Sequence, residues 1–277
     1  MTRNAITMPP APLQAVQHIR KMRGGSQAHL IRASDKNLYV VKFQNNPQHV
    51  RVLINEYLGT TVGRLLNLPM PEAKIMEVPE WLIENTPELK IDVSPRSVPC
   101  ASGLQFASRY VGDPERDRVF DYLPESMFHR IANLDDFPRV LAFDKWTGNS
   151  DGRQAVFVQR PPRRTYEAVF IDQGHCFNAG EWNFPDSPLR GAYAQNSVYA
   201  GVTGWHSFEP ALSWIEQMDI DHLWKIASEI PEEWYEHNPE ALSRLIESLH
   251  ARRTRIRELI ASFRNSSRSP FPNWKGE

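Results

Sequence analysis

The sequence predicts an α+β fold of two lobes: a small β-rich N-terminal lobe with one main helix, and a larger, mostly α-helical C-terminal lobe. In the first third of the chain, short runs of β-branched and aromatic residues are separated by turn signals. One longer segment there repeats apolar residues at helical spacing, and the last third holds several amphipathic helical patterns. The chain has 277 residues, 41% of them hydrophobic, which suffices for two lobes sharing one cleft.

The N-terminal lobe is expected at about residues 14–111, after an N-terminal segment at 1–13. Its helical pattern opens at Pro47, a favourable first helical residue, and continues to Leu66. Residues 79–103 look irregular, with a short helix near Trp81. The runs that predict strands are 16–22, 28–33, 38–43, 73–78 and 104–111.

The C-terminal lobe is expected at about residues 112–264, because Gly112-Asp113-Pro114 is a strong break. We expect a buried helix at 135–146 and two short strands, 155–158 and 168–171, joined by a turn. Amphipathic helices follow, the last one running from about Pro239 to Phe263. The tail at 265–277 is rich in Ser, Arg and Pro and is expected to be loose.

Charge and cysteine content exclude several classes of protein. The formal net charge is −1, which argues against a nucleic-acid-binding surface. The two cysteines do not make a disulfide framework or a metal site. Residues 1–12 lack the apolar stretch of a signal peptide, and no segment predicts a membrane-spanning helix. We therefore expect a cytoplasmic protein without nucleic-acid or membrane partners.

Two motifs of the N-terminal lobe suit phosphate binding. The run Gly24-Gly25-Ser26-Gln27 lies between two predicted strands, where glycines let backbone N–H groups approach a phosphate. A plain hairpin turn is the alternative. Lys42 lies inside an apolar strand, and Glu56 follows on the predicted helix. A Lys–Glu pair in that context holds the lysine on ATP phosphates, whereas a surface lysine of an edge strand is the alternative.

Two acids of the C-terminal lobe suit catalysis and metal binding. Asp151 follows the buried helix, where a carboxylate can meet a substrate hydroxyl. Asp172 ends a strand in the run Ile171-Asp172-Gln173-Gly174, which suits a magnesium ligand. Each alone is also a common turn motif. They are 21 residues apart across a predicted hairpin, which would bring both carboxylates to one end of a small sheet.

Together these motifs resemble the HipA-like kinases of bacteria, which are related in fold to protein kinases. The resemblance covers about residues 14–262 and implies a bilobal protein-kinase-like fold with ATP and Mg²⁺ as cofactors. It implies Asp151 as the base, Asp172 as a magnesium ligand and Lys42 as a phosphate contact. It also implies a hinge at 106–111, including Arg109, Tyr110 and Val111, against which adenine packs. The runs that carry it are Gly24-Gly25-Ser26-Gln27, Val40-Val41-Lys42-Phe43, Asn55-Glu56, Phe143-Asp144-Lys145-Trp146-Thr147-Gly148-Asn149-Ser150-Asp151 and Ile171-Asp172-Gln173-Gly174-His175.

One position departs from the kinase pattern. The asparagine that holds a second magnesium five residues after the catalytic aspartate is replaced by Val156. Gln154 or Asn149 could supply an amide oxygen instead. Three functions therefore remain open: a kinase acting on Ser or Thr of a protein, a small-molecule kinase, or a catalytically weak nucleotide-binding scaffold. The sequence does not name the phosphate acceptor.

Three further features are open to interpretation. The segment 176–199 replaces a kinase activation segment and is rich in aromatic residues, so it is either a substrate platform or a self-packed loop. His175 is interpreted as structural. The basic run Arg252–Arg257 is interpreted as a solvated helix face.

Overall fold

A computed structural model describes residues 13–276 of the chain. The predicted N-terminal segment at 1–13 therefore lies outside the described residues, except for Leu13. The fold is α+β, as the sequence predicts, with a β-rich N-terminal lobe and a mostly helical C-terminal lobe.

The N-terminal lobe is a closed five-stranded barrel with one long helix against it. Its strand order is β1-β2-β3-β7-β4, and the barrel closes where Leu13 and Gln14 pair in parallel with Met76 and Glu77. Inward-pointing apolar side chains fill it, among them Ile31 and Val41. The elements are β1 (Leu13–Lys21), β2 (His29–Ala33), β3 (Leu38–Lys42), α1 (Val52–Leu65), β4 (Ala73–Val78), α2 (Glu80–Glu84), β5 (Lys90–Val93), β6 (Arg96–Pro99) and β7 (Gly103–Arg109).

Helix α1 begins five residues later than the pattern predicts, because the segment before it is held in a turn. The side-chain oxygen of Asn46 accepts hydrogen bonds from the backbone N–H groups of Gln48 and His49. Asparagine favours this local bonding over a helix. The helix itself is buried along most of its length, since it lies between the barrel and the C-terminal lobe.

The C-terminal lobe packs its helices around α3, which is the buried helix that the sequence predicts. The indole N–H of Trp146 in α3 donates to the carbonyl of Leu249. A three-stranded sheet, ordered β10-β9-β8, faces the barrel lobe. The elements are β8 (Arg118–Phe120), α3 (Asp136–Thr147), β9 (Gln154–Gln159), β10 (Glu167–Ile171), α4 (Ala211–Glu216), α5 (Ile220–Ala227), α6 (Pro239–Arg252) and α7 (Ile256–Arg264), with 3₁₀ turns at 125–130, 176–178, 196–199, 205–208, 232–235 and 253–255.

The structure corrects two predictions near the C-terminus. The last helix is two helices, α6 and α7, separated by the 3₁₀ turn at 253–255. Arg252, which we interpreted as part of a solvated face, is buried, and its guanidinium bonds to the Lys145 carbonyl and to Asp186. The guanidinium satisfies a carbonyl at the end of α3, which sequence periodicity does not reveal.

The tail is also different from its prediction. Residues 265–276 pack on the C-terminal lobe: the Phe271 ring is buried against Phe263, Phe208 and Tyr199. The backbone N–H of Lys275 donates to the carbonyl of Thr203. The aromatic content of this short segment outweighs its polar composition. Across residues 13–276, no helix is long and apolar enough to cross a membrane.

Candidate active site

A cleft of about 790 Å³ separates the barrel from the sheet of the C-terminal lobe. Arg109, Tyr110 and Val111, the predicted hinge, line it at the point where β7 leaves the barrel. Tyr110 is fixed by a backbone hydrogen bond to the carbonyl of Leu38. The floor of the cleft is apolar and includes Val111, Val119, Val156 and Ile171. An apolar surface beside an extended strand suits the ring of a heterocycle.

Lys42, Glu56 and Asp172 meet at one end of this cleft. The ammonium of Lys42 is bound to the carboxylate of Glu56 and lies 2.9 Å from Oδ1 of Asp172. Glu56 also accepts hydrogen bonds of 3.0 Å from the backbone N–H groups of Gln173 and Gly174. The structure thus brings together three predicted residues from β3, α1 and the loop after β10. We call that loop, residues Asp172–Gly174, the metal loop, after the prediction that Asp172 is a magnesium ligand.

The charges of this cluster set its protonation. Burial alone would lower the pKa of Lys42, but the carboxylates of Glu56 and Asp172 outweigh it and raise that pKa above its ordinary value. Burial would raise the pKa of Asp172, yet the ammonium of Lys42 holds it well below its usual range. At neutral pH the site therefore presents an ammonium and an ionised Asp172.

The glycine run is the hairpin turn between β1 and β2. The N–H of Gln27 donates to the carbonyl of Gly24, whose φ of +122° favours glycine. Gly24 and Gly25 are exposed at the tip, and Ser26 lines the cleft. The amide of Gln27 has another use: it bonds to Lys21 and to the backbone of Asp92, which ties the turn to the β5–β6 hairpin.

Asp151 lies on the loop between α3 and β9 and is exposed. Its backbone N–H donates to the side-chain oxygen of Asn149, and its carboxylate accepts from the N–H of Gly152. Its carbonyl accepts from the N–H of Gly191 in the following segment. Backbone bonds on both sides therefore fix this loop, while one carboxylate edge is open to solvent.

A buried ion pair that sequence reasoning missed supports this loop. The guanidinium of Arg153 binds both carboxylate oxygens of Asp144 and donates to the carbonyl of Ile171, immediately before the metal loop. Arg153 therefore links the Asp151 loop to Asp172. Asp144 inside an apolar helical pattern was the available signal, because a buried carboxylate requires a cationic or hydrogen-bonding partner.

The two amides that could hold a second metal differ in their surroundings. Asn149 is buried, its Nδ2 donates to Asp144 and its Oδ1 accepts from Asp151. Asn149 does not line the cleft and its oxygen already accepts one hydrogen bond, so Gln154 is the better placed of the two amides. Gln154 is exposed and lines the cleft at the start of β9, paired in register with Ile171.

The donors present fit magnesium held together with nucleotide phosphates. Asp172 keeps 28% of its side chain exposed, and among residues 13–276 no hydrogen bond involves its Oδ2. Within the same range, no group of three His, Cys, Asp or Glu residues could hold a metal alone. Mg²⁺ bound through one or two side-chain oxygens plus phosphates does not need such a group.

The segment after the metal loop folds back beside Asp151. Tyr193, Ala194 and Gln195 line the cleft, and Arg153 pairs with Tyr193 as an isolated β-bridge. The rings of Phe177 and Tyr193 are buried, so much of the aromatic content packs inward. His175 lies 3.4 Å from the amide of Gln48, which is a contact between loops.

Solved structures with this fold include kinases. The structure of the Helicobacter pylori proinflammatory kinase CtkA is similar with a TM-score of 0.52 and 15% identity, over 87% of this chain and 98% of that chain. A Golgi casein kinase gives 0.54 and 11%, over 91% and 74% of the two chains. Its structure with Mn/ADP bound gives 0.51 and 10%, over 94% and 74%. At these identities the likeness concerns the fold.

A family comparison goes further than the fold. No curated protein matches the chain significantly. The family model for HipA-like kinases, however, matches residues 16–162, more than half of the chain. That range runs from β1 through the barrel to β9 and includes Lys42, Glu56 and Asp151. The cleft, its residues and this match agree with the predicted resemblance, and the chain belongs to the HipA-like kinase family.

Proposed function

We propose that this protein is an ATP- and Mg²⁺-dependent kinase that phosphorylates Ser or Thr hydroxyls of a protein. The observation that carries the proposal is the cluster of Lys42, Glu56 and Asp172 at the end of an apolar cleft. Adenine would pack beside the hinge, Lys42 would contact phosphates, and Asp172 with Gln154 would hold Mg²⁺. The metal would neutralise charge that develops on the transferred phosphoryl group.

Asp151 is the proposed base that accepts the proton of the attacking hydroxyl. Its carboxylate is exposed and outside the enclosed part of the cleft, which favours a protein acceptor over a small molecule in a closed pocket. Because both Cys100 and Cys176 are buried free thiols, a reducing cytoplasm is the location we propose. The near-zero net charge argues against a nucleic-acid partner. We also propose no membrane partner.

A nucleotide-binding scaffold of low activity is the second candidate. Val156, at the position of the second metal-binding asparagine, is buried in the apolar floor of the cleft and offers no oxygen. The proposed kinase therefore depends on Gln154 for that role. A scaffold would bind ATP in the same cleft and transfer nothing.

Thermal unfolding with ATP, with and without Mg²⁺, tests the nucleotide site. We expect the wild type to gain melting temperature only when both are present, because a ligand that binds the folded state stabilises it. Asp172→Ala should lose this gain. Glu181→Ala, an exposed acid nine residues further on, is the control and should keep it. No gain in the wild type would contradict the proposal.

Transfer of labelled phosphate from ATP separates the kinase from the scaffold. With the protein itself and a Ser/Thr peptide library as acceptors, Asp151→Ala should lower transfer by about 10²–10⁴-fold, the usual contribution of a general base. Its ATP-induced gain in melting temperature should stay. Binding without transfer in the wild type would favour the scaffold, and transfer to small alcohols alone would favour a small-molecule kinase.

A further inference from the structure

Helix α1 contacts the metal loop through a residue that the nucleotide site does not use. Asn55 precedes Glu56 in the helix and its side chain is completely buried, at 0% exposure. A buried amide must satisfy two donors and one acceptor, or it destabilises the fold. The partners of Asn55 all lie in the segment that begins with the metal loop.

The three polar positions of the Asn55 amide are used on this segment. Its Nδ2 donates to the carbonyls of Gly174 and Ala179, both at 2.8 Å. Its Oδ1 accepts from the indole N–H of Trp182 at 2.9 Å. Glu56 receives the N–H groups of the metal loop, so the two neighbouring residues bind complementary backbone groups of Gly174.

The segment that Asn55 holds has an unusual backbone. Asp172 has a φ of +62°, and five of the residues that follow also have positive φ although none is a glycine. A residue with a Cβ is strained in this conformation, which persists only where surrounding contacts impose it. The residues after Asp172 that share it are Phe177 (+60°), Asn178 (+62°), Ala179 (+54°), Trp182 (+54°) and Phe184 (+48°).

A second contact from α1's N-terminal end holds the same segment. The guanidinium of Arg51 lies 4.5 Å over the ring of Trp182 and donates to the carbonyl of Gly180. Arg51 touches only the far end of the segment, whereas Asn55 reaches Gly174 within the metal loop. Asn55 therefore holds both the metal loop, through Gly174, and the strained segment after it, through Ala179.

We propose that Asn55 is a positioning residue that keeps Asp172 in its metal-binding geometry. Without its amide, the carbonyls of Gly174 and Ala179 lose their donor, and the strained backbone can relax away from Glu56 and Lys42. The inference rests on the proposed Mg²⁺ and ATP site. It predicts a specific loss of Mg²⁺ affinity, with the apolar cleft left unchanged.

The experiment measures the Mg²⁺ concentration that gives half of the ATP-induced gain in melting temperature. For Asn55→Ala we expect this concentration to rise about tenfold, the equivalent of one or two lost hydrogen bonds. The gain at saturating Mg²⁺ should approach that of the wild type. Trp182→Phe removes the indole donor and keeps an aromatic ring. It should raise the Mg²⁺ concentration at the midpoint about threefold.

Asn133→Ala is the matched control. Asn133 makes three hydrogen bonds, to Asp136 and to the backbone of Ala168 in β10, but none to the metal loop. We expect it to lower the melting temperature without ligand and to leave the Mg²⁺ midpoint unchanged. If Asn55→Ala does not fold, Trp182→Phe against the same control decides the question.

The outcomes separate this inference from the proposed function. If ATP and Mg²⁺ do not raise the melting temperature of the wild type, the proposed nucleotide site itself is wrong. A normal wild type with unchanged Mg²⁺ midpoints in Asn55→Ala or, where that variant is unfolded, in Trp182→Phe overturns the positioning role alone. Equal weakening by Asn133→Ala also overturns it, since the effect would then follow general stability.

Discussion

Asp144 and Arg153 form the most buried ion pair near the cleft, with side-chain exposures of 0% and 2%. Burial would lower the pKa of Arg153, but the carboxylate of Asp144 outweighs it and raises that pKa. Such a pair adds little stability relative to apolar residues of the same shape, but losing one partner leaves an uncompensated charge. Its value here is geometric, because it fixes the carbonyl of Ile171 beside the Asp151 loop.

Breaking this pair tests whether the two buried charges depend on each other. Asp144→Asn and Arg153→Met should each lower the free energy of unfolding by about 3–5 kcal/mol, measured by urea denaturation. The Asp144→Asn, Arg153→Met double variant should lose less than the sum of the two single losses. Additive losses in a double-mutant cycle would contradict a coupled pair.

The C-terminal tail works as an element of the lobe. Phe271 contacts Phe263 from α7 together with Phe208 and Tyr199, and Trp274 stacks on Phe271. These aromatic contacts close the side of the lobe on which α7 lies. The segment is thus part of the core although its composition is that of a linker.

Substitution in the tail tests whether this packing stabilises the fold. Phe271→Ala should destabilise the protein by about 3–5 kcal/mol, the usual cost of removing a buried aromatic ring. The melting temperature and the urea midpoint should both fall. Ser267→Ala, at an exposed position of the same segment, is the control and should stay within about 0.5 kcal/mol of the wild type.

At the scale of the whole molecule, long-range contacts join the lobes and seal the barrel. Tyr57 of α1 donates to Glu229, and the indole of Trp234 donates to the carbonyl of Leu104. Within the barrel, His29 is fully buried, 3.1 Å from His18 and 3.3 Å from the carbonyl of Lys90. Unfolding breaks these contacts together and exposes the imidazole of His29 to solvent, where it can be protonated.

The pH dependence of global unfolding follows from His29. Burial, with smaller effects from His18 and Lys21 opposed by Asp92, lowers its pKa to about 4. The folded state keeps it neutral, whereas the unfolded state takes up a proton near pH 6.5. The unfolded state therefore binds more protons between these values, and stability falls as the pH falls through that window.

We expect this effect to be about 2 kcal/mol between pH 7 and pH 4. His18, whose pKa burial also lowers, adds to it in the same direction. Urea denaturation across this range should show a weaker pH dependence in His29→Gln than in the wild type. His222→Gln, at an exposed position, should follow the wild-type curve, and identical curves for all three proteins would contradict the assignment.

The sequence was most informative where the chemistry is local. Lys42 in a β-strand, Glu56 on the next helix and Asp172 at a strand end have residue types and spacings that few other sites require, and their order predicts the cleft. The strands of the barrel followed from β-branched runs between turns. The α+β class and the HipA-like resemblance were both confirmed.

Prediction was wrong where a side chain's partner lies far along the chain. Arg252 bonds to a carbonyl 107 residues away, and the basic run around it looked like a solvated face. The side-chain amide of Gln27 binds the β5–β6 hairpin 65 residues away, a contact that its place in the glycine run did not indicate.

The sequence by itself thus indicated the main strands and helices and the acids and lysine of the proposed site, because residue type and periodicity express them locally. It did not indicate the β5–β6 hairpin or β8. The tertiary structure decided which polar groups are free to bind a ligand. Asn55 meets Gly174 only after α1 packs across 119 residues of chain, and the burial of that contact makes its hydrogen bonds obligatory.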